Sequence, residues 1–146
     1  MKIIVEKKNR KLTVTEQGSV LFACSVALGF SPEGNKEKEG DGKTPEGSYF
    51  VCLKKIGKYG PSLGINYPSL ADALRLGAAE KLLQCIRERE EQGMRPPWGS
   101  FMGGEIYIHG GGTERDWTAG CIALEDADAE TLYALCDEGT EVEILP

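Results

Sequence analysis

Residues Ile106 to Leu124 read IYIHGGGTERDWTAGCIAL and hold the only histidine of the chain, His109, with a cysteine, Cys121, framed by Ala119 and Gly120. The opening Ile-Tyr-Ile is apolar and β-branched, so Glu105 to His109 is expected to form a short buried strand that delivers His109 at its end. The glycines and charges that follow have the composition of a loop that bends sharply and presents groups to solvent or ligand. A thiol attacks as its thiolate, and at an ordinary pKa of about 8.5 only a few per cent is ionised at neutral pH unless a base assists. A histidine within hydrogen-bond reach supplies that assistance, and with one histidine any Cys-His pair uses His109. Cys121 is the favoured partner because Thr118-Ala119-Gly120 is a small, flexible approach and the eleven residues between 109 and 121 can fold back. The plainer alternative is that His109 bonds a backbone group while Cys121 packs with Ile122 and Leu124.

Composition narrows the remaining classes. The 146 residues suit one domain, and 40% hydrophobic with 27% charged residues is globular. No apolar run approaches the roughly 18 residues of a membrane span. The N-terminus MKIIVEKKNRKL lacks the central apolar region of a signal peptide. A net charge of −6 argues against a phosphate-binding surface, so nucleic acid is not expected. The five cysteines, Cys24, Cys52, Cys85, Cys121 and Cys136, form no CxxC pair, and one histidine with scattered cysteines has no zinc spacing. No metal and no cofactor is expected, and a thiol redox role ranks low.

Outward from the central stretch, Lys2 to Glu6, Lys11 to Thr15 and Val20 to Leu28 read as an antiparallel meander. In the third strand Val20, Phe22, Cys24, Val26 and Leu28 share one face, which makes Cys24 a small core residue. Gly29 to Gly42 reads as an exposed loop, and Asp41 to Gly47 as tight punctuation before a strand over Ser48 to Lys54. From Ser69 the apolar spacing turns helical, with Gly77 dividing two helices and the second running over Ala78 to Gln92. After the loop Gly93 to Gly104, Asp126 is expected to cap a last helix that stops at Gly139, and Glu141 to Leu145 alternates as a closing strand. The fold class is mainly β with helical insertions.

The strings Ile108-His109-Gly110 and Thr118 to Leu124 resemble the signature of the L,D-transpeptidase catalytic domain, the YkuD family. Its pattern is a histidine-glycine pair, then a Ser or Thr, a variable residue, Gly-Cys and an aliphatic residue. Asp41 to Gly47 resembles the family's Thr-Pro-x-Gly entry to a strand, Leu63 to Pro68 its Tyr-Pro segment, and Leu135 to Ile144 its closing helix, Gly-Thr turn and strand. The resemblance covers nearly the whole chain, residues 1–146. Asp116 to Ala123 matches an Asp-Trp-Thr-x-Gly-Cys-Ile-Ala subgroup. The chain departs from the usual pattern at Ala119, often a second histidine, at Ala123, often an arginine, and in its short His-to-Cys loop.

The resemblance implies a β-sandwich of the L,D-transpeptidase type, with Cys121 as nucleophile, His109 as base and then acid, and the Gly110 carbonyl orienting the imidazole. Backbone N–H groups near Gly120 and Cys121 would stabilise the oxyanion. The implied partners are peptidoglycan stem peptides. Cys121 would attack between residues three and four of a tetrapeptide stem, release D-alanine, and pass the acyl group to a second stem as a 3,3 cross-link or to water. Arg115, Asp116, Trp117 and Thr118 are candidate substrate contacts, although Arg115 and Asp116 could equally form a local ion pair. Covalent inhibition by carbapenems, a role in bacterial cell-wall organisation and cell shape, a monomeric state, and a place in the cell wall or periplasm complete the expectation. The alternatives are an L,D-carboxypeptidase on the same site and a non-catalytic peptidoglycan-binding domain.

Overall fold

In the computed structural model, which describes residues 1–146, the alternation of the N-terminal segment is realised directly. Ile3 and Val5 of β1 (Lys2–Glu6) and Leu12 and Val14 of β2 (Lys11–Glu16) are fully buried, and the two strands pair antiparallel. The third strand, β3 (Ser19–Ser25), departs from expectation. Its register shifts between Val14 and Thr15, so that Val14 faces Phe22 while Thr15 faces Val20 and Leu21 is extra. That bulge breaks the period of two and leaves Val20 63% exposed, with Phe22 and Cys24 only partly buried against the core. The chain leaves the strand at Ser25, but Val26, Ala27 and Leu28 are buried.

The next strand, β4 (Gly47–Gly57), is eleven residues long and begins earlier and ends later than expected. Its first half pairs with the closing strand β8 (Glu141–Leu145), and its second half pairs with β5 (Gly60–Ile65). The sequence GPSLGI of β5 does not look like a strand, yet Ser62, Leu63, Gly64 and Ile65 are buried. Two short strands follow, β6 (Tyr107–His109) and β7 (Ile122–Ala123), paired parallel with Ile108 opposite Ile122 and His109 opposite Ala123. The sheet order is β3-β2-β1-β8-β4-β5-β6-β7. Its ends meet: the Ala27 N–H donates to the Ala123 carbonyl and the Ala123 N–H to the Ala27 carbonyl, both at 2.9 Å. The sheet therefore curls until the segment after β3 becomes the outer neighbour of β7.

Three helices cover it. Helix α1 (Leu70–Arg75) starts with a reciprocal cap, in which Ser69 and Asp72 satisfy each other's backbone N–H groups, and Gly77 at φ +74° separates it from α2 (Glu80–Glu91). Helix α3 (Asp126–Leu135) has Glu125, not Asp126, at its N-cap, without a side-chain capping bond. The Asp126 carboxylate instead accepts the Gly111 N–H at 2.9 Å, tying the helix start to the loop after His109. Ala129 and Leu132 bury the inner side of α3. The loop expected to be exposed, Gly29 to Gly42, is only partly so. Lys36 is buried with Asp41, and Thr44, fully buried, accepts the Gly29 N–H at 3.0 Å.

Gly29 is the tightest point of this packing. A Cβ there would overlap the Gly42 carbonyl oxygen and lie 3.2 Å from Gly120 Cα, and backbone has little freedom to yield. Gly29→Ala is expected to cost about 1–3 kcal/mol in urea unfolding with an unchanged slope. Stability equal to the parent would mean that this contact does not hold the loop to the Cys121 turn.

Candidate active site

Strand β6 buries His109 to 5% exposure. Its Nδ1 lies 2.6 Å from the Gly110 carbonyl oxygen, and because a carbonyl only accepts, Nδ1 carries the proton and Nε2 keeps a free lone pair. Tyr59, in the two-residue turn between β4 and β5, stacks on the imidazole at 4.7 Å and 15°. Trp117 meets the ring edge-on at 5.8 Å and meets Tyr59 at 5.2 Å. Burial pushes the imidazole below its ordinary pKa of 6.5, against a smaller upward pull from the Gly110 carbonyl, so His109 rests neutral and basic at neutral pH.

Cys121 sits one residue before β7, in a turn built by Thr118. The Thr118 hydroxyl donates to the Cys121 carbonyl at 2.7 Å and accepts the Gly120 N–H at 3.1 Å, while Gly120 itself is at φ +143°. The Gly120 N–H is thereby committed, and the Cys121 N–H is the one of the two left without a partner. A side chain at Gly120 would press on the Lys43 carbonyl oxygen at 2.9 Å. The half-buried Sγ accepts the Tyr107 N–H at 3.4 Å and donates to the Glu105 carbonyl at 3.5 Å. Glu105 holds that carbonyl with φ at +55°, unusual for a residue with a side chain. Burial pushes the thiol above its ordinary pKa; the Tyr107 N–H and the Lys36 ammonium pull it down, and Glu105 pushes it up. The resting pair is thus a neutral thiol and a neutral imidazole.

No hydrogen bond joins Sγ to the imidazole. The parallel register puts Ala123 opposite His109, so Cys121 is two residues away along the strand, about 7 Å at 3.3 Å per residue. Catalytic hydrogen bonds in unliganded enzymes are commonly long and tighten with substrate. Three other thiols are also held protonated by burial. Burial raises Cys24 and Cys52 to about 12 and Cys136 to about 11.

The remaining candidates separate by role. Asp116 does not pair with Arg115. It takes Arg10 in a two-pronged salt bridge, 3.1 and 2.8 Å, and accepts the Leu28 N–H at 2.9 Å. It therefore fastens the His-to-Cys loop to the segment after β3. Trp117 donates Nε1–H to the Gly112 carbonyl at 3.0 Å. Arg115 lines an open groove of about 840 Å³ with Tyr59, Gly111, Gly112, Glu114, Trp117 and Glu125. A second, smaller cavity of about 120 Å³ opens at Cys121, lined by Lys36, Glu39, Glu105, Ile106 and Ala119 among others. Tyr59 and Lys36 are absent from the sequence-based candidates. An aromatic residue in a two-residue turn and a lysine in an acidic, glycine-rich loop are the only hints the sequence holds.

The half-buried Cys121, one residue before β7, and the tautomer-fixed His109 at the end of β6 thus sit at the β6–β7 pair of a curled, mainly β sheet. The chain belongs to the YkuD family of L,D-transpeptidase catalytic domains, whose model matches residues 1–144. The helical cell shape determining protein Pgp2 from Campylobacter jejuni is similar in structure, with a TM-score of 0.67 and 26% identity over 98% of this chain and 46% of that one. Bd1075 of Bdellovibrio bacteriovorus shares the fold at a TM-score of 0.64 and 20% identity, over 98% and 46%. So does an L,D-transpeptidase from Mycobacterium tuberculosis, at 0.60 and 16%, over 99% and 57%. The chain spans about half the length of these structures. No curated protein sequence matches it.

Because there is one histidine, its ring gives one titration curve by NMR. The midpoint is expected below 6.5, with the Nδ1-protonated tautomer above it. Since the folded pKa lies below the unfolded one, stability from this group falls as pH drops below about 6.5. A midpoint at or above 6.5 would contradict the buried, stacked ring.

Proposed function

We propose that the protein is a cysteine acyltransferase acting on peptidoglycan tetrapeptide stems, in the Asp-Trp-Thr-x-Gly-Cys-Ile-Ala subgroup of its family. The observation that carries this is the placement of His109 at the end of β6 and of Cys121 immediately before its parallel neighbour β7, with Nδ1 held by the Gly110 carbonyl. Nε2 of His109 takes the Sγ proton as the sulfur attacks the carbonyl carbon between residues three and four. The C–S bond forms, and the carbonyl oxygen gathers negative charge beside the free Cys121 N–H. The C–N bond then breaks, and the imidazolium returns its proton to the nitrogen, which leaves as the amine of D-alanine. An acceptor amine attacks the thioester, His109 takes its proton, and the thiolate leaves and is reprotonated. That sequence forms a 3,3 cross-link; water in place of the amine gives a trimmed tripeptide.

The neutral resting pair supports deprotonation concerted with attack rather than a standing thiolate–imidazolium pair. The groove lined by Tyr59, Arg115 and Trp117, at about 840 Å³, has the volume for the body of a stem peptide. Work on the cell wall or in the periplasm, with effects on cell shape, follows from that substrate.

Purified protein incubated with a disaccharide-tetrapeptide is expected to release D-alanine and form cross-linked dimers. Cys121→Ala and His109→Gln should each lower the rate by at least about 10³-fold. Tripeptides without dimers would reassign the reaction to an L,D-carboxypeptidase. A carbapenem should add one mass increment to the wild type and none to Cys121→Ala. Stem-peptide binding without turnover or adduct would leave a non-catalytic binding domain.

A further inference from the structure

Two buried lysines meet at the loop around Asp41, Lys7 reaching in from the turn after β1 and Lys36 from the loop itself, and they differ in one respect. Lys7 spends all three ammonium N–H donors, on the Gly34 carbonyl at 2.9 Å, the Thr44 carbonyl at 2.7 Å and Glu46 Oε2 at 3.0 Å. Lys36, its side chain 3% exposed, spends one, on Asp41 Oδ1 at 2.9 Å. Two donors of a buried unit charge are left over, and burying a cation with unspent donors is costly unless an anion completes them. The Asp41 carboxylate offers little further compensation. It also accepts the N–H groups of Glu37, Lys38 and Lys43 at 2.8–3.1 Å and is held down at about 2, where burial alone would raise it.

The unspent donors lie at the Cys121 cavity, which Lys36 lines together with Sγ's own residue. Lys36 Nζ lies 3.6 Å from the position a Cβ would take on Gly120, the residue before the nucleophile. At about 120 Å³ the cavity holds one small amino-acid residue and little more. Its other charged groups are Glu39 and Glu105, both exposed, while Asp41, which pairs with Lys36, and His109 line no part of it.

We propose that Lys36 binds the terminal carboxylate of the residue released by the reaction, so that the enzyme requires a donor ending in a free carboxylate one residue beyond the scissile bond. This rests on the acyl-transfer function proposed above and names its leaving-group site. The carboxylate of the released amino acid meets Lys36 inside the cavity, while its nitrogen, which takes the proton from His109, stays at the mouth beside Cys121. Lys36 is then a specificity-determining residue. Lys36 is the one cation among the residues that line this cavity.

Two measurements on wild type, Lys36→Met and Lys36→Arg test it. In the first, a tetrapeptide donor is compared with the same peptide carrying a C-terminal amide. The wild type should prefer the acid by roughly 10- to 100-fold, the worth of a charge-assisted hydrogen bond, Lys36→Met should lose that preference by slowing the acid alone, and Lys36→Arg should keep part of it. Equal wild-type rates on acid and amide, or an equal loss on both in Lys36→Met, would overturn the proposal, the latter by assigning Lys36 to the thiol or the oxyanion. In the second, free D-alanine should slow iodoacetamide labelling of Cys121 in the wild type, D-alanine amide should not, and Lys36→Met should lose the protection. Protection by both compounds or by neither would also overturn it. If only the acyl-transfer function is wrong, neither peptide turns over while protection by D-alanine persists. If Lys36→Met fails to melt cooperatively, the acid-to-amide ratio and the protection in wild type decide alone.

Discussion

The reciprocal hydrogen bonds between Ala27 and Ala123 hold the molecule's functional geometry together. Strand β7 has only two residues, too few to persist by itself, and it exists because β6 pairs it on one side and the segment after β3 on the other. Every other feature of the Cys121 turn is added to that pairing. Phe30 donates to the Thr118 carbonyl, Thr118 donates back to Leu28, and Asp116 accepts from Leu28 while gripping Arg10. The first thirty residues, which contain none of the candidate chemistry, thereby set where Cys121 sits. Gly29 must be glycine because the Thr-Pro loop passes against it at this point.

The same closure explains the electrostatics. Curling the sheet buries the thiol and the imidazole together, and burial moves both toward their neutral forms. Charge is instead kept nearby in fixed form, on a lysine whose partner carboxylate is anchored by three backbone N–H groups. A neutral pair beside a fixed cation suits a reaction in which negative charge appears only once substrate has arrived.

Much of this was legible in the residues. The alternation in β1, β2 and β8 predicts strands because each has one buried face, and one histidine reduces the choice of base to His109. Family likeness through His109-Gly110 and Thr118 to Leu124 pointed to the mainly β transpeptidase fold that the sheet and its neighbours display. What was hidden depends on tertiary contacts. The Leu21 bulge turns Val20 outward against its pattern, and β5 is a strand despite Gly, Pro and Ser because both its neighbours pair with it. Asp126 resembles a cap but serves Gly111, and Asp116 sits next to Arg115 but reaches Arg10, 106 residues away. The two buried lysines look like surface residues in sequence, since nothing local announces that the loop around Asp41 folds under Cys121 and over Lys7.

The central claim is that Cys121 carries the acyl group. Its most direct test is acid quenching of the protein during turnover of a tetrapeptide stem, followed by peptide mapping for a thioester. A tripeptide acyl group is expected on the peptide containing Cys121, absent from Cys121→Ala and strongly reduced in His109→Gln. Turnover with no acyl group on Cys121, or with one on Cys24, Cys52, Cys85 or Cys136, would contradict it.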